Sequence, residues 1–411
     1  MSDLPSLKGA AWLTEPGVVA IFSVLNQEGD QGRAVGGAVR DTLLDRPVTD
    51  IDFATTARPE TVMERAAAIG IKFAPTGVDH GTVTLITGGR GHQVTTLRED
   101  VETDGRHAVV RFGRDWTADA QRRDFTLNAL SVDAAGTLFD PVGGYADLEA
   151  RRIRFIGDPD KRIAEDYLRI LRFFRFHAQC GAGAIDEAGL QACIRGRDGI
   201  TGLAAERINH ELCRMVVAER AADAAEAVAA AGILDMVLGG RSDIAGLRRV
   251  IEFEQAAGLP ASYPRRLAAM AVALPEDVDR ITARLKLANA DRDALRDAAQ
   301  GLGDASPPSE HELRERIYRQ GNQSSAARLA LAAARSSAPI ADWAGALVAL
   351  AGWEAPPFPV AGVDAIAAGI PCGPAIGSVL GELENWWISE DFRPNRNALL
   401  RRLQQIHAAQ Q

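Results

Sequence analysis

Up to about residue 155, short β-branched or alternating stretches are bounded by glycine and aspartate. They are RAVGG (33–37), TDIDFATT (49–56), HGTVTLIT (80–87), GHQVTTLR (91–98), LNALSVDA (127–134) and IRFIG (153–157). This pattern predicts strands. Between them, PETVMERAAAIG (59–70) has helical character. After residue 160 the strand signal disappears. Alanine- and leucine-rich segments with helical spacing follow, cut by GLPASYP, DASPPSE, SSAPI, APPFP, GIPCGP and FRPN. AERAADAAEAVAAAG (218–232) is low in complexity but reads as a plain helix, because alanine is a strong helix former. The expected class is α+β, a mixed sheet with helices followed by an all-helical remainder. The expected divisions are 1–155, 156–245 and 246–411, with no internal repeat at a fixed period.

A chain of 411 residues is too long for one ordinary core, so two to four structural units are expected. Its four cysteines, Cys180, Cys193, Cys213 and Cys372, are scattered without a CxxC pair and read as reduced, buried thiols. The first residues resemble neither a signal peptide nor a transit peptide, and no apolar run is long enough to span a membrane. The expectation is a cytoplasmic protein. The net charge of −9 argues against one coated in nucleic acid. Residues 151–175, however, hold eight basic side chains against four acidic ones. A local basic surface of this kind suits a polyphosphate or a defined RNA site, not blanket DNA binding.

In TDIDF, Asp50 and Asp52 are two apart in a strand pattern, so both side chains should leave one face while Ile51 and Phe53 leave the other. Their Cβ atoms would stand about 6–7 Å apart. Two such carboxylates can share a pair of Mg²⁺ ions for in-line attack on phosphorus. Alone, DxD also fits two exposed aspartates at a strand end. Sixteen residues earlier begins AVGGAVRD. Gly36 and Gly37 let the backbone approach a ligand, the helix starting near Ala38 offers free N–H groups, and Arg40 can fork onto phosphate oxygens. Further along, ADAQRRDFTLNAL supplies Arg122 and Arg123 as phosphate ligands. Asp124 and Asn128 there can bind a ribose or lock the arginines.

GGAVRD followed by TDIDFATT resembles the head domain of class II tRNA nucleotidyltransferases. That family comprises CCA-adding enzymes and bacterial poly(A) polymerases, within the DNA polymerase β superfamily. VTTLREDVETDGRHAVV and DWTADAQRRDFTLNA are similar to the mitochondrial-type CCA-adding enzymes and their α-proteobacterial relatives. The resemblance implies a catalytic polymerase β-like head over 1–155, a base-recognition neck over 156–245 and a tRNA-binding body and tail over 246–411. It implies that Asp50 and Asp52 hold two catalytic Mg²⁺ ions and that Gly37 and Arg40 contact the nucleotide. It further implies that a mobile loop around Asp104, Gly105, Arg106 and His107 serves the switch from CTP to ATP. FDPVGGYADL (139–148) matches the segment that closes the head.

RIAEDYLRILRFFRFHAQCG (162–181) reads as one helix, with Ala164, Tyr167, Leu168, Leu171, Phe174 and Ala178 facing a core. Asp166 and Arg169 are then neighbours on another face. Cytosine and adenine each present an amine donor beside a ring acceptor, and uracil and guanine reverse that order. An aspartate accepting from the amine and an arginine donating to the ring nitrogen therefore select C and A. On a bare helix the same pair is a weak ion pair. EDYLR matches the family's EDxxR motif, which favours the base-reading role. Arg172 and Arg175 continue a stripe toward the triphosphate, and Glu165 can orient Arg169. AERINHEL (205–212) resembles the family's ER-containing helix, in which Glu206 and Arg207 would buttress the base readers. In the C-terminal part, a helix start near Pro374 and the arginines Arg393, Arg396, Arg401 and Arg402 are candidate tRNA contacts.

The expected function is template-independent addition or repair of the CCA end of tRNA from CTP and ATP, with release of pyrophosphate. The partners are the tRNA 3′ end and the two nucleotides, with no membrane, DNA or obligate protein partner. Two carboxylates are few for two metals; the sequence does not place a third ligand, and Glu99 and Asp100 are no more than candidates. The alternatives are a CC-adding or A-adding enzyme, a poly(A) polymerase, and an RNA-binding module with an inactive head. The intact DGRH stretch argues against the CC-adding form, and the lack of a long basic C-terminal extension argues against a poly(A) polymerase.

Overall fold

A computed structural model describes residues 4–104 and 107–409. The chain divides into two compact units, Met1–Val237 and Leu238–Gln411. The expected head and most of the expected neck lie within the first unit.

The first unit is built on nine strands, β1 (Gly32–Val35), β2 (Asp52–Thr55), β3 (Lys72–Gly77), β4 (Thr82–Thr87), β5 (Arg90–Thr96), β6 (Arg98–Asp104), β7 (His107–Phe112), β8 (Ser131–Val132) and β9 (Leu138–Phe139). Seven form one sheet in the order β3-β4-β5-β2-β1-β8-β9, and β6 pairs with β7 as a separate antiparallel ribbon. Among the described residues only β2 and β5 pair in parallel, and β2 sits inside the sheet between β5 and β1. The expected strands in TDIDFATT, HGTVTLIT and GHQVTTLR are present. IRFIG forms a single bridge, Phe125 to Phe155. The strand at Lys72–Gly77 carries no alternation in burial and was not legible from pattern.

Alternation places β2. Ile51 and Phe53 are buried, and the Phe53 ring meets Phe22 edge-on at 5.2 Å. Phe22 lies on α1 (Pro16–Leu25). Asp52 is thereby turned to the opposite face. The hydrogen-bonded ladder begins only at Asp52, paired with Val35. Asp50 precedes the strand, which corrects the expectation that both aspartates lie in it. The cause is the glycine turn, since beyond Val35 the opposing chain leaves the sheet for α2 (Gly37–Leu43) and nothing remains for Asp50 to pair with.

Helices α3 (Pro59–Ala68), α4 (Trp116–Gln121) and α5 (Gly144–Glu149) complete the sheet region. Asp147 on α5 is fully buried, accepting from Thr126 at 2.7 Å and ion-paired with Arg152 and Arg154. Then follow α6 (Pro159–Glu165), α7 (Leu168–Cys180), α8 (Glu187–Gly196), α9 (Ala205–Val216), α10 (Ala221–Ala230) and α11 (Leu234–Leu238).

Residues 162–181 are therefore two helices, not one. Asp166 adopts an extended backbone (φ −155°, ψ 107°), and its Oδ1 accepts from the Leu168 N–H at 3.1 Å, as a helix cap does. The break shifts the phase of the pattern. Leu168, Leu171, Phe174 and Ala178 are buried as expected, but Ala164 is exposed and Tyr167 is 36% exposed, while Ile163 and Ile170 take core positions. The Tyr167 ring lies where a Cβ on Gly199 would stand.

The second unit is entirely helical among the described residues, with α12 (Ile244–Ala256), α13 (Tyr263–Ala271), α14 (Asp277–Leu285), α15 (Asn289–Ala299), α16 (Glu310–Arg335), α17 (Ile340–Ala349), α18 (Gly362–Ala367), α19 (Pro374–Ser389) and α20 (Arg396–Ala409). Helix α16 kinks at Gly321, which takes φ 84°. Its C-terminal core gathers Val379, Leu383 and Trp387 of α19 against Leu399 and Leu403 of α20. No helix among the described residues is long and apolar enough to cross a membrane. Cys180 and Cys193 are buried as expected, but Cys213 is half-buried and Cys372 exposed. Cys372 sits in the glycine- and proline-rich turn before α19.

Candidate active site

The first unit contains a cleft of about 700 Å³ lined by residues from β2, the glycine turn, α7 and α9. Seven arginines and five aspartates line it. Gly36 makes the turn from β1 with φ 66° and ψ −117°, a combination that only glycine adopts readily. The chain then enters α2 with Gly37 and Arg40 facing the cleft.

The arginines are held in place by a continuous network. Arg40 forks onto Asp41 (both contacts 2.9 Å) and donates to Asn128 Oδ1 at 3.1 Å. Asn128 Nδ2 donates to Asp124 at 3.2 Å, and Asp124 accepts from Arg172 Nε at 2.6 Å. Arg172 also approaches Glu211 at 3.6 Å, and Glu211 binds Arg175 at 2.5 Å. Arg175 in turn donates to Gln179 at 2.8 Å. The Phe176 ring backs three of these guanidiniums, with centroid distances of 5.4 Å to Arg40, 5.5 Å to Arg172 and 4.0 Å to Arg175. Burial alone would raise the Asp124 carboxyl, yet Arg172 beside it holds it below the usual carboxylate range.

The base-reading candidates are positioned separately. Asp166 Oδ2 accepts from Arg207 Nη2 at 2.7 Å. Arg169 binds Glu165 and donates to the Arg162 carbonyl at 2.6 Å. Despite its partial burial, Glu165 is kept below its ordinary range by Arg169 and Arg162. Asp166 and Arg169 are thus neighbours without being each other's ion-pair partner, and both line the cleft.

Asp50 and Asp52 differ from every other aspartate in the cleft. Asp41, Asp124 and Asp166 each hold an arginine, whereas Asp50 and Asp52 form no ion pair among the described residues. The Asp52 carboxyl is pushed up by burial and by the like charge of Asp50, with partial relief from Arg123 and His92. Two hard oxygen donors that repel each other and have no ion-pair partner among the described residues fit a divalent cation. Among the described residues no third His, Cys, Asp or Glu completes a metal cluster. The side chains of Glu99 and Asp100 lie outside the described part.

Of the expected site residues, Gly36, Gly37, Arg40, Asp50, Asp52, Arg123, Asp124, Asn128, Asp166, Arg169, Arg172 and Arg175 line one cleft. Arg122 does not. Its side chain turns to Asp119 at 2.8 Å and its carbonyl accepts from Arg162, because α4 ends there and the next residue takes the inward position. Arg207 reaches the cleft itself, while Glu206, on the exposed side of α9, does not. Asp104 and His107 face each other across the end of the β6–β7 ribbon, so the stretch expected as an irregular loop is paired up to that point. Backbone pairing between the two valine-containing stretches supplies the order that side-chain periodicity does not reveal. Gly105 and Arg106 lie outside the described residues. In the second unit, Arg396 is tied to Asp364 at 2.5 Å, Arg393 lies 3.6 Å from Asp391, and Arg401 and Arg402 are exposed.

The reading of residue patterns missed Asp41, Gln179, Glu211 and Arg214. A signal existed for two of them, since Arg207, Glu211 and Arg214 recur at i, i+4 and i+7 on one face of α9.

Comparison with known proteins adds a family. Residues 32–154 match the poly A polymerase head domain. The chain is 33% identical over 414 residues to the mitochondrial CCA tRNA nucleotidyltransferase 1 of Danio rerio, covering 95% of this chain and 90% of that protein. It is 42% identical over 207 residues to the CCA-adding enzyme of Oceanobacillus iheyensis, covering 49% of this chain and 50% of that one. The crystal structure of the Bacillus stearothermophilus CCA-adding enzyme in complex with CTP superposes with a TM-score of 0.75 at 28% identity. That match covers 96% of this chain and 99% of the other.

Proposed function

We infer the function from one premise: the chain belongs to the family of CCA tRNA nucleotidyltransferases. It adds or repairs the 3′-terminal CCA of tRNA with CTP and ATP and releases pyrophosphate. The observation that carries this reading is the contrast inside the cleft. Asp50 and Asp52 form no ion pair among the described residues, while Asp166 and Arg169, which we read as the base-reading pair, line the same cavity.

Asp50 and Asp52 would hold the divalent ions, which we take to be two Mg²⁺. Bound there, such ions neutralise charge at the α-phosphate and make the RNA 3′-hydroxyl more acidic. The remaining work falls to the chain. Asp166 accepts from the exocyclic amine of C or A, and Arg169 donates to the adjacent ring nitrogen. Uracil and guanine would set donor against donor and acceptor against acceptor, leaving polar groups unpaired. The 3′-hydroxyl oxygen bonds to the α-phosphorus as the bond to pyrophosphate breaks. Arg40 and Arg123, fixed beside the glycine turn through Asn128, stabilise the charge that develops on the leaving group.

The head, neck, and body-plus-tail divisions over 1–155, 156–245 and 246–411 remain our functional partition. The exposed Arg393, Arg401 and Arg402 are candidate tRNA contacts within it. Four cysteines that form no disulfide among the described residues accord with our placement of the enzyme in a bacterial cytoplasm.

The test is incorporation of labelled CTP and ATP, separately and together, into tRNA transcripts ending before CCA, at CC and at CCA. Growth to CCA followed by arrest supports the reading. Addition of A to CC-ended tRNA only would make it an A-adding enzyme, and long A tails would make it a poly(A) polymerase.

A further inference from the structure

Six of the seven cleft arginines have a carboxylate partner: Arg40 has Asp41, Arg123 has Asp119, Arg169 has Glu165, Arg172 has Asp124, Arg175 has Glu211 and Arg207 has Asp166. The seventh, Arg214, is exposed on α9, lines the cleft, and forms no hydrogen bond or ion pair among the described residues. It stands near enough to Arg175 for the two like charges to interact. Arg175 is 4% exposed, its charge is paired with Glu211, and it donates to Gln179. The available positive charge at this end of the cleft is therefore that of Arg214.

Its place along the cleft indicates what it meets. Arg207, bound to Asp166, marks the base-reading end of α9, and Arg214 lies seven residues further, about 10.5 Å along the axis. On α7, Arg169 and Arg175 are separated in the same sense by six residues, about 9 Å. Both helices thus lead from the base readers to a cationic end over a span comparable with that from a nucleotide's base to its polyphosphate. The terminal phosphates carry the densest negative charge of a nucleoside triphosphate, and an uncompensated guanidinium is their natural counter-ion.

We propose that Arg214 receives the terminal phosphates of the incoming nucleoside triphosphate and the pyrophosphate that leaves. The proposal rests on the nucleotidyl-transfer reading above and adds to it a distinct contact.

The test compares equilibrium binding of CMP and CTP to the full-length wild type and to Arg214→Ala in Mg²⁺, together with inhibition of CTP incorporation by pyrophosphate. CTP affinity should fall about tenfold in the variant, the loss expected for one charge-assisted contact, while CMP affinity holds. The inhibition constant for pyrophosphate should rise by a similar factor, and Arg214→Lys should restore most of both. Equal weakening of CMP and CTP would mean a merely structural role and overturn the proposal. So would unchanged CTP and pyrophosphate binding, or an effect confined to the KM for tRNA, which would assign Arg214 to the RNA backbone. If the wild type itself failed to bind CTP more tightly than CMP, the nucleotidyl-transfer reading would fall first, and this proposal with it.

Discussion

Arg207 on α9 donates to Asp166 Oδ2 at 2.7 Å, while Asp166 Oδ1 accepts from the Leu168 backbone at the start of α7. One carboxylate thus joins two helices, and both of its oxygens have fixed directions. Arg169, four residues from Glu165, is oriented by that neighbour instead. In the proposed base-reading clamp, halves held separately would keep their donor and acceptor order before any base arrives.

Removing the Arg207 support should therefore loosen discrimination more than catalysis. In Arg207→Gln, the ratio of kcat/KM for CTP to that for UTP is expected to fall about tenfold, in keeping with one lost charge-assisted hydrogen bond. Competition assays with the two nucleotides measure it, and an unchanged ratio would remove Arg207 from base selection.

Asp50→Ala should abolish incorporation while leaving tRNA affinity within about twofold, since the proposed metal ligand would bear on the reacting centre and not on the RNA grip. Gel-shift and incorporation assays on the same preparation separate the two effects. Persisting incorporation would refute the metal assignment.

Asp52 makes a prediction about stability. Burial and Asp50 raise its carboxyl, so the folded chain keeps its proton to a higher pH than the unfolded chain does. Stability from this group is complete below the ordinary carboxylate range and is lost as pH rises through the raised value. At neutral pH without divalent ions, Asp52→Asn should melt slightly higher than the wild type. The rise should be a few degrees at most, since 1 kcal/mol shifts Tm by about 2–4 °C in a unit of this size. Thermal melts from pH 4 to 8 would show the difference vanish at the acid end; a lower melting point for the variant at neutral pH would contradict the account.

Glu211 is 3% exposed between Arg175 and Arg172. Glu211→Gln removes the counter-charge and leaves a buried guanidinium poorly matched. The expected cost is about 3 kcal/mol, toward the lower end for a broken buried pair. Denaturant titration of the full chain measures it, and a loss below about 0.5 kcal/mol would show the pair to be solvated.

Gly36→Ala tests the turn. Space is available, the nearest atom to a new Cβ being the Arg123 guanidinium at 3.8 Å, so the cost is backbone strain alone. About 1–3 kcal/mol is expected, with a raised KM for both CTP and ATP because Gly37 and Arg40 follow directly. A fully stable variant with unaltered KM would show that the turn tolerates side chains.

The sequence by itself determined the local chemistry: the strand and helix divisions on either side of residue 160, the outward placement of Asp52 by alternation with Ile51 and Phe53, the glycine turn, and the arginine motifs. Those features are legible because each depends on neighbours within a few positions. Tertiary structure alone decided the rest. It set the break at Asp166, which no periodicity announces because a capping carboxylate and the packing of Tyr167 over Gly199 shift the helix phase there. It also decided that Arg123 and not Arg122 faces the cleft, that Glu211 on α9 balances Arg172 and Arg175 on α7, and that Arg214 is left without a carboxylate among the described residues. Charge pairing between residues dozens of positions apart depends on which helix faces pack together, and the distribution of paired and unpaired arginines is fixed only once they do.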